Sequence, residues 1–409
     1  MGELLIRAGY NDHEEIGSLL TPGAATALRP PPIQRLVADV QIAAQRPVLA
    51  DDAERASIPY LVDPLTPFLQ AEIDPASTWV RKVDFGVSEA LLVSDFSDAR
   101  ISQVVATVVE TQVTLGATAI IPPYLFADSP DDPLFAVSLR MLQATARYMR
   151  HNDVNLPLVP LFCGNRSSFC DPTKWNRGID RFIAAAADLG PQSLAVCFSP
   201  LGDAKTSYKT AMLALGAMGR FTATGIPVLA WRQGMLGPTM VAAGAAGYEC
   251  GIGVRERANV RGDITSAKPK PKKDRSGGPP PKMIYIEGLG RSVKTDIAAA
   301  LLGDVRMRAE LLCEDEHCCP HSVTSMLTNY KRHTVLSRAR RLEAMNQMPR
   351  DTWRLHQVAK DAQRAVLKTQ QAEKVLRGAG IKTELSTRAQ ESIAQAANYL
   401  RQQAERRTA

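Results

Sequence analysis

Short apolar runs recur along the chain, each closed by a polar or turn-forming residue, and the stretches between them have helical spacing. The runs are IPYLVDP (58–64), GATAIIPPYLF (116–126), LPLVPLFCG (156–164), SLAVCFSP (193–200), IPVLAWRQG (226–234), GYECGIGV (247–254), KMIYIEGLG (282–290) and AELLCED (309–315). Near-continuous hydrophobicity in runs this short marks a strand buried on both faces. The intervening segments, such as Arg100–Leu115, Pro133–Arg150, Arg177–Leu189 and Ser207–Thr224, repeat apolar residues at a helical period. Eight strands alternating with amphipathic helices predict an α/β chain built as a (β/α)8 TIM-type barrel, in preference to a doubly wound open sheet. Polar residues follow the runs: Asp63, Asn165, Asp203, Gln233, Glu256, Arg291 and Glu314. In a barrel they converge on the C-terminal rim, where barrel enzymes keep their chemistry.

The pattern divides the chain in three. Residues 1–57 read as an N-terminal preface, with a short apolar start at Leu4–Ile6, prolines at 30–32 and a helical pattern from Ile33 to Gln45. Residues 58–315 hold the barrel. Residues 316–409 form a helical, basic C-terminal extension in which Gly378 and Gly380 stop one long helix. A last helix starts near Thr387, with Gln390 three residues on as a capping partner. Within the barrel, SAKPKPKKDRSGGPPPK (266–282) has no large apolar residue and predicts a disordered basic loop, either an arm that touches phosphates or a solvated insertion.

Composition adds limits. The 409 residues are 45% hydrophobic and 22% charged, ordinary for a globular protein, and the net charge of +7 permits a polyanionic partner. The N-terminus is acidic where a signal peptide needs a basic flank, and no apolar run reaches the ~18 residues of a membrane span. The expectation is a cytoplasmic protein with no membrane contact, with room for a homodimer or a partner subunit. Cys163, Cys170, Cys197 and Cys250 lack framework spacing, as suits reduced thiols.

The densest chemistry lies in LLCEDEHCCPHSVTSMLTNYKRH (311–333), which holds three of the seven cysteines and three of the six histidines. Cys313, Cys318, Cys319 and His333 can supply the four donors of tetrahedral Zn2+, with His317 and His321 as substitutes, and four protein ligands make such an ion structural. The alternative is free thiols beside solvated histidines. Lys331, Arg332, Arg338, Arg340, Arg341, Arg350 and Arg354 then suggest a basic face suited to a nucleic-acid backbone, or an ordinary soluble surface.

Four segments, in order, resemble the tRNA-guanine transglycosylase family, zinc-containing barrels that exchange a base in a nucleic acid. PYLVDPLTPFLQ is similar to the family's TDSGGFQ segment at Asp63, Phe68 and Gln70; LAWRQG to its VQGG at Gln233 and Gly234. GYECGIGVRE is similar to GYAIGGLAVGE at Gly251, Gly253 and Glu256, and IYIEGLG, a helix and the cysteine stretch follow its YLMGVG, helix and zinc succession. The paired glycines after the first aspartate are replaced by Pro64, Leu65 and Thr66. The family's nucleophile segment, DCxxPTR, is matched only by Leu312, Cys313, Glu314 and Asp315.

The resemblance implies exchange of a guanine or 7-deazaguanine base in tRNA or DNA, with Gln233, Gly234, Gly251, Gly253 and Glu256 around the base. Passage through an oxocarbenium-like state asks for two carboxylates. Asp63 is the first candidate, and Glu314, Asp315 or Asp203 the second. Trp231 and Tyr124 are candidate stacking partners. The competing expectations are a catalytically inactive relative that binds nucleic acid or a partner protein, and an unrelated barrel enzyme on a small phosphorylated substrate.

Overall fold

The computed structural model describes residues 1–21, 31–253, 256–269, 281–320, 322–383 and 385–408. His321 and most of the expected basic loop, residues 270–280, lie outside the described residues. Seven strands form one parallel sheet: β1 (Glu3–Ala8), β2 (Arg35–Asp39), β3 (Tyr60–Asp63), β4 (Leu161–Asn165), β5 (Leu194–Ser199), β6 (Val228–Ala230) and β7 (Gly247–Gly251). Their spatial order is β3-β2-β1-β7-β6-β5-β4, and every pairing is parallel.

Both faces of the sheet are apolar and both are covered. Side chains alternate along each strand. Leu5, Val37, Leu61, Ala195, Cys197 and Leu229 meet in an inner cluster, whereas Leu4, Ile6, Leu36, Tyr60, Val62 and Val196 pack outward against the helices. The run 116–126 contributes no regular strand, yet isolated parallel bridges join Leu61 to Ala119, Ile120 to Leu158 and Ala127 to Gly164. They lie between the two outer strands, β3 and β4.

Two sequence expectations are corrected here. The stretch read as a preface supplies β1 and β2, and the helical pattern at Ile33–Gln45 splits into strand Arg35–Asp39 and helix Val40–Gln45. A strand buried on both faces has no polar alternation, so its spacing is easily taken for a helix. Conversely, the last two apolar runs do not join the sheet. The seventh becomes β8 (Met283–Ile286), paired antiparallel with β9 (Arg291–Lys294); Gly290, at φ 62°, makes the turn. The eighth ends helix Val305–Leu311 and enters the cysteine cluster.

The C-terminal helices wrap the sheet. Helix Tyr330–Asn346 packs on β8 and β1, and Arg388–Thr408 lies along Asp351–Gly378 and reaches helix Tyr208–Thr222. The Thr387 hydroxyl pairs with Glu391 at 2.7 Å rather than with Gln390; Gln390 instead donates to the Leu289 carbonyl at 3.1 Å. Among the described residues, no helix is long and apolar enough to cross a membrane.

Candidate functional site

At the C-terminal ends of four neighbouring strands the inward residues are charged. Arg7 of β1 is 1% exposed. Its Nη1 bonds Asp39 of β2, its Nη2 donates to Asp63 Oδ2 of β3 at 3.0 Å, and its Nε donates to Glu249 Oε1 of β7 at 2.9 Å. One buried guanidinium cannot balance three carboxylates, and Arg232, just past β6, adds the second cation. The Arg232 backbone N–H donates to Glu249 Oε2 at 2.8 Å, its Nη2 lies 3.8 Å from Asp63 Oδ2, and its Nη1 donates to Asp263 Oδ2 at 2.6 Å.

Asp63 takes the rest of its bonds from neutral donors. Tyr124 Oη donates to Oδ1 at 2.7 Å, the Leu65 N–H donates to Oδ1 at 3.0 Å, and Trp231 Nε1 donates to Oδ2 at 3.3 Å. Burial pushes this carboxyl up, but Arg7, Arg232, Tyr124 and the Leu65 N–H outweigh burial and hold it below the usual carboxylate range. Burial and the neighbouring Asp63 raise the Tyr124 hydroxyl well above its ordinary value, so it stays a donor. Leu65 (φ 50°) and Arg232 (φ 57°) both hold left-handed conformations without being glycine. Such strain persists only where surrounding contacts enforce it, and it gathers at functional sites.

Over this network opens a cavity of about 610 Å3. Tyr10, Phe68, Trp79 and Tyr124 supply aromatic walls, and Gln41, Arg232 and Asp263 supply polar edges. Trp79 is locked edge-on against Phe68, with centroids 5.5 Å apart. Among the described residues, Gln41 Oε1 is buried and finds no hydrogen-bond partner. Aromatic walls with a few fixed polar groups are what a flat heterocycle needs.

Asp63 closes β3 and Gly251 closes β7, while Gln233 lies beyond the end of β6, and neither Gln233 nor Gly251 lines this cavity. Gln233 is 1% exposed, and both of its amide atoms are buried and find no hydrogen-bond partner among the described residues. Gly234, Gly253 and Glu256 have a visible structural task. Gly234 donates to the Glu256 carbonyl at 2.7 Å, and Gly253 (φ 76°) sits where a Cβ would meet the Met283 carbonyl at 2.8 Å. Glu256 takes Arg338 at 2.8 Å and the Ser292 hydroxyl at 2.7 Å.

The second-carboxylate expectation is corrected. Asp203 accepts from the Lys205 N–H and the Thr206 hydroxyl as a turn cap. Glu314 and Asp315 follow a helix rather than a strand and line a different cavity, beside Cys313. None of the three lines the cavity above Asp63. The residues of the expected basic face are mostly half-buried and paired with carboxylates, with Arg338 buried and Arg350 exposed. Arg338, Arg340 and Arg341 pair with Glu256, Asp315 and Asp361, Lys331 and Arg332 with Asp12 and Glu15, and Arg354 with Asp351.

Sequence reading passed over Arg7, Asp39, Glu249, Arg232 and Asp263. For the strand residues a signal existed: LLIRA, LVADV and GYECG each set one charge in an apolar run. A charge buried that deeply must be paired, and these three are one cation and two anions.

The cysteine cluster gathers as expected. Cys313, Cys318, Cys319 and His333 are all buried, and their donor atoms lie within 4.8 Å of one another. Cys318 Sγ is 3.5 Å from Cys319 Sγ, and each is 3.4 Å from His333 Nδ1. A tetrahedral ion with metal–sulfur bonds of ~2.3 Å and a metal–nitrogen bond of ~2.0 Å spaces its donors by roughly 3.5–3.8 Å, so the four side chains fit a metal ion. Adjacent cysteines reach one point because the N–H groups of both bond the Asp315 carbonyl, at 3.1 and 2.8 Å. His333 Nε2 lies 3.0 Å from the Tyr285 carbonyl, which leaves the Nδ1 lone pair for the cluster. Hydrogen bonds from Cys318 and Cys319 pull the Cys313 thiol far down, while hydrogen bonding to Cys313 pushes the other two up. Three sulfurs share protons that one cation would replace. His317 is exposed and outside the cluster.

No family model matches the chain, and no curated protein does. Among solved structures it is similar to thiamine phosphate pyrophosphorylase from Pyrococcus furiosus, at 10% identity over 64% of this chain and 91% of that one, with a TM-score of 0.30. It is also similar to orotidine 5'-phosphate decarboxylase from Pyrococcus horikoshii OT3, at 14% identity over 64% of this chain and 96% of that one, with a TM-score of 0.31.

Proposed function

We propose that this chain is a transglycosylase-like barrel enzyme that exchanges or modifies a guanine or 7-deazaguanine base in tRNA or DNA. The observation that carries the reading is the aromatic-walled cavity above a buried Arg–carboxylate network at the ends of parallel strands. The run around Ala119 and Ile120 is the eighth barrel strand in this reading, bridging β3 to β4 and closing the ring. In this reading the cavity edged by Tyr10, Phe68, Arg232 and Asp263 receives the flipped base. Asp63, held ionised beneath, stabilises positive charge that develops on the sugar. The exposed pair Arg350 and Trp353, stacked at 5.6 Å, suits the nucleic acid outside the cavity. The metal is Zn2+ in a structural role, since three thiolates and one imidazole complete its preferred set.

The test is incubation of purified protein with radiolabelled guanine and either bulk tRNA or duplex DNA. Label entering the nucleic acid is the expected result, and no incorporation into either overturns the enzyme reading. One observation favours a second reading, an inactive relative that only binds. Asp63 is 0% exposed, with both oxygens engaged by the protein. Retention of tRNA or DNA in a low-salt gel shift without incorporation would select that reading.

A further inference from the structure

A second large cavity, of about 790 Å3, opens on the cysteine cluster. Of the four donors, Cys313 and His333 line it, whereas Cys318 and Cys319 do not. Most of the remaining lining is charged, with Arg341, Arg364 and Lys368 among Glu287, Glu310 and Asp361, so the cavity admits water and small polar solutes. His333 and Arg340 stand two turns apart on helix Tyr330–Asn346 and share a face of it. His333 enters the cluster, while Arg340 donates from Nη2 to Cys313 Sγ at 3.5 Å and from Nη1 to Asp315 Oδ2 at 2.7 Å. Cys313 itself lies two residues past helix Val305–Leu311, in irregular backbone that no ladder holds. Its Sγ is within 4.8 Å of both other sulfurs. The sulfur that small solutes can reach is thus the one whose backbone can follow it toward a neighbour.

We propose that the cluster is a redox switch in which Cys313 is the site of modification and a hydroperoxide, entering through this cavity, is the oxidant. The Cys313 thiolate attacks one peroxide oxygen, the O–O bond breaks, and the sulfur becomes a sulfenic acid. Hydroxide leaves beside the Arg340 guanidinium and takes up a proton to become water. The thiolate of Cys318 or Cys319 then attacks the sulfenic sulfur, an S–S bond forms, and a second hydroxide leaves as water. Two thiolates are oxidised to one disulfide, and one hydrogen peroxide with two protons is reduced to two waters. A bridge within the adjacent pair is the poorer product, because it closes a strained ring on their own peptide bond. One thiolate and one imidazole are left, too few to hold a tetrahedral ion, which is released. The helix that loses this anchor also carries Arg338, which holds the Gly234 carbonyl and Glu256 at the rim. The switch does not depend on the base-exchange reading.

The test uses the full chain, purified with its zinc, and hydrogen peroxide as the oxidant. A chromogenic chelator follows released zinc, dimedone traps sulfenic acid, and peptide mapping locates the trapped and bridged cysteines. Zinc is expected to leave in step with the loss of two thiols, with dimedone on Cys313 and a bridge from Cys313 to the Cys318–Cys319 pair. A thiol reductant with added zinc is expected to restore both. Cys163, Cys170, Cys197 and Cys250, buried away from this cavity, should stay reduced. Zinc retained at a peroxide dose that fully oxidises free cysteine overturns the proposal, as does dimedone on Cys318 or Cys319 in place of Cys313. Oxidation that runs to sulfinic acid without a bridge, or a purified chain that carries no zinc, overturns it as well. Every readout is taken on the wild-type protein, so no variant has to fold, and none of them is affected by whether the chain exchanges a base.

Discussion

At the scale of single residues, the buried network makes stability depend on pH in a definite direction. Asp63 has its pKa depressed in the folded protein by Arg7, Arg232, Tyr124 and the Leu65 N–H. Its contribution is therefore fully present above the unfolded value of ~3.9 and is lost as pH falls toward the lower folded value. Asp63→Asn should remove about 3 kcal/mol at neutral pH, because Arg7 and Arg232 lose a buried counter-charge. It should also flatten the decline below about pH 4. Urea unfolding of both proteins at pH 7 and at acid pH checks this, and equal acid slopes would contradict it. Asp63 was legible in the sequence because it ends an apolar run before Pro64. Its partners were less so: Arg7 is 56 positions away from Asp63 and Glu249 is 242 away from Arg7, and no local pattern couples charges so distant. Asp263 gave no signal, since it sits in the mixed stretch VRGDITS and its place at the cavity depends on where a short helix docks.

At the scale of elements, the apolar pattern misassigns both strand existence and strand membership: Arg35–Asp39 is a strand inside a helical pattern, and the run 309–315 ends a helix. Six of the eight apolar runs reach the sheet or its bridges, whereas Met283–Ile286 pairs with β9 instead. Run composition is the same in both settings, so only the tertiary partner separates them. Gly253 sits at the junction where the rim meets that hairpin, with φ 76° and the Met283 carbonyl where a Cβ would go. Two independent penalties, a left-handed backbone and a clash with main chain that cannot rotate away, predict that Gly253→Ala costs about 1–3 kcal/mol. Chemical denaturation reads the loss. Gly303, a glycine with open space around it and no positive φ, is the control; Gly303→Ala should leave the midpoint unchanged or raise it slightly. A similar loss in both would mean that the contact with β8 is not the cause.

At the scale of the whole molecule, the cysteine cluster and the sheet are mechanically one object. Helix Tyr330–Asn346 carries His333 into the cluster, packs on β1, and holds the N-terminus through Asn346, whose Oδ1 accepts from the Gly2 N–H at 2.6 Å. The same helix sends Arg338 to the Gly234 carbonyl and to Glu256 at the rim. The donors were legible because thiols and imidazoles are rare and clustered. That they fasten the first strand to the last layers was not, because that depends on contacts such as Gly2 to Asn346 that span nearly the whole chain. A metal here should therefore set the cooperativity of unfolding. Elemental analysis should find one zinc per chain, and Cys313→Ser should abolish it. With metal bound, calorimetry should give one transition whose van't Hoff and calorimetric enthalpies agree. Chelation should split off an earlier transition in which β8, β9 and helix Tyr330–Asn346 loosen, and this should remove several kcal/mol from the first strand, whose outer cover is that helix. Hydrogen exchange at Leu4–Ile6 separates this coupling from simple local melting. Under coupling, the β1 amides lose protection when the metal is removed; unchanged protection there would show that the cluster holds only its own layer together.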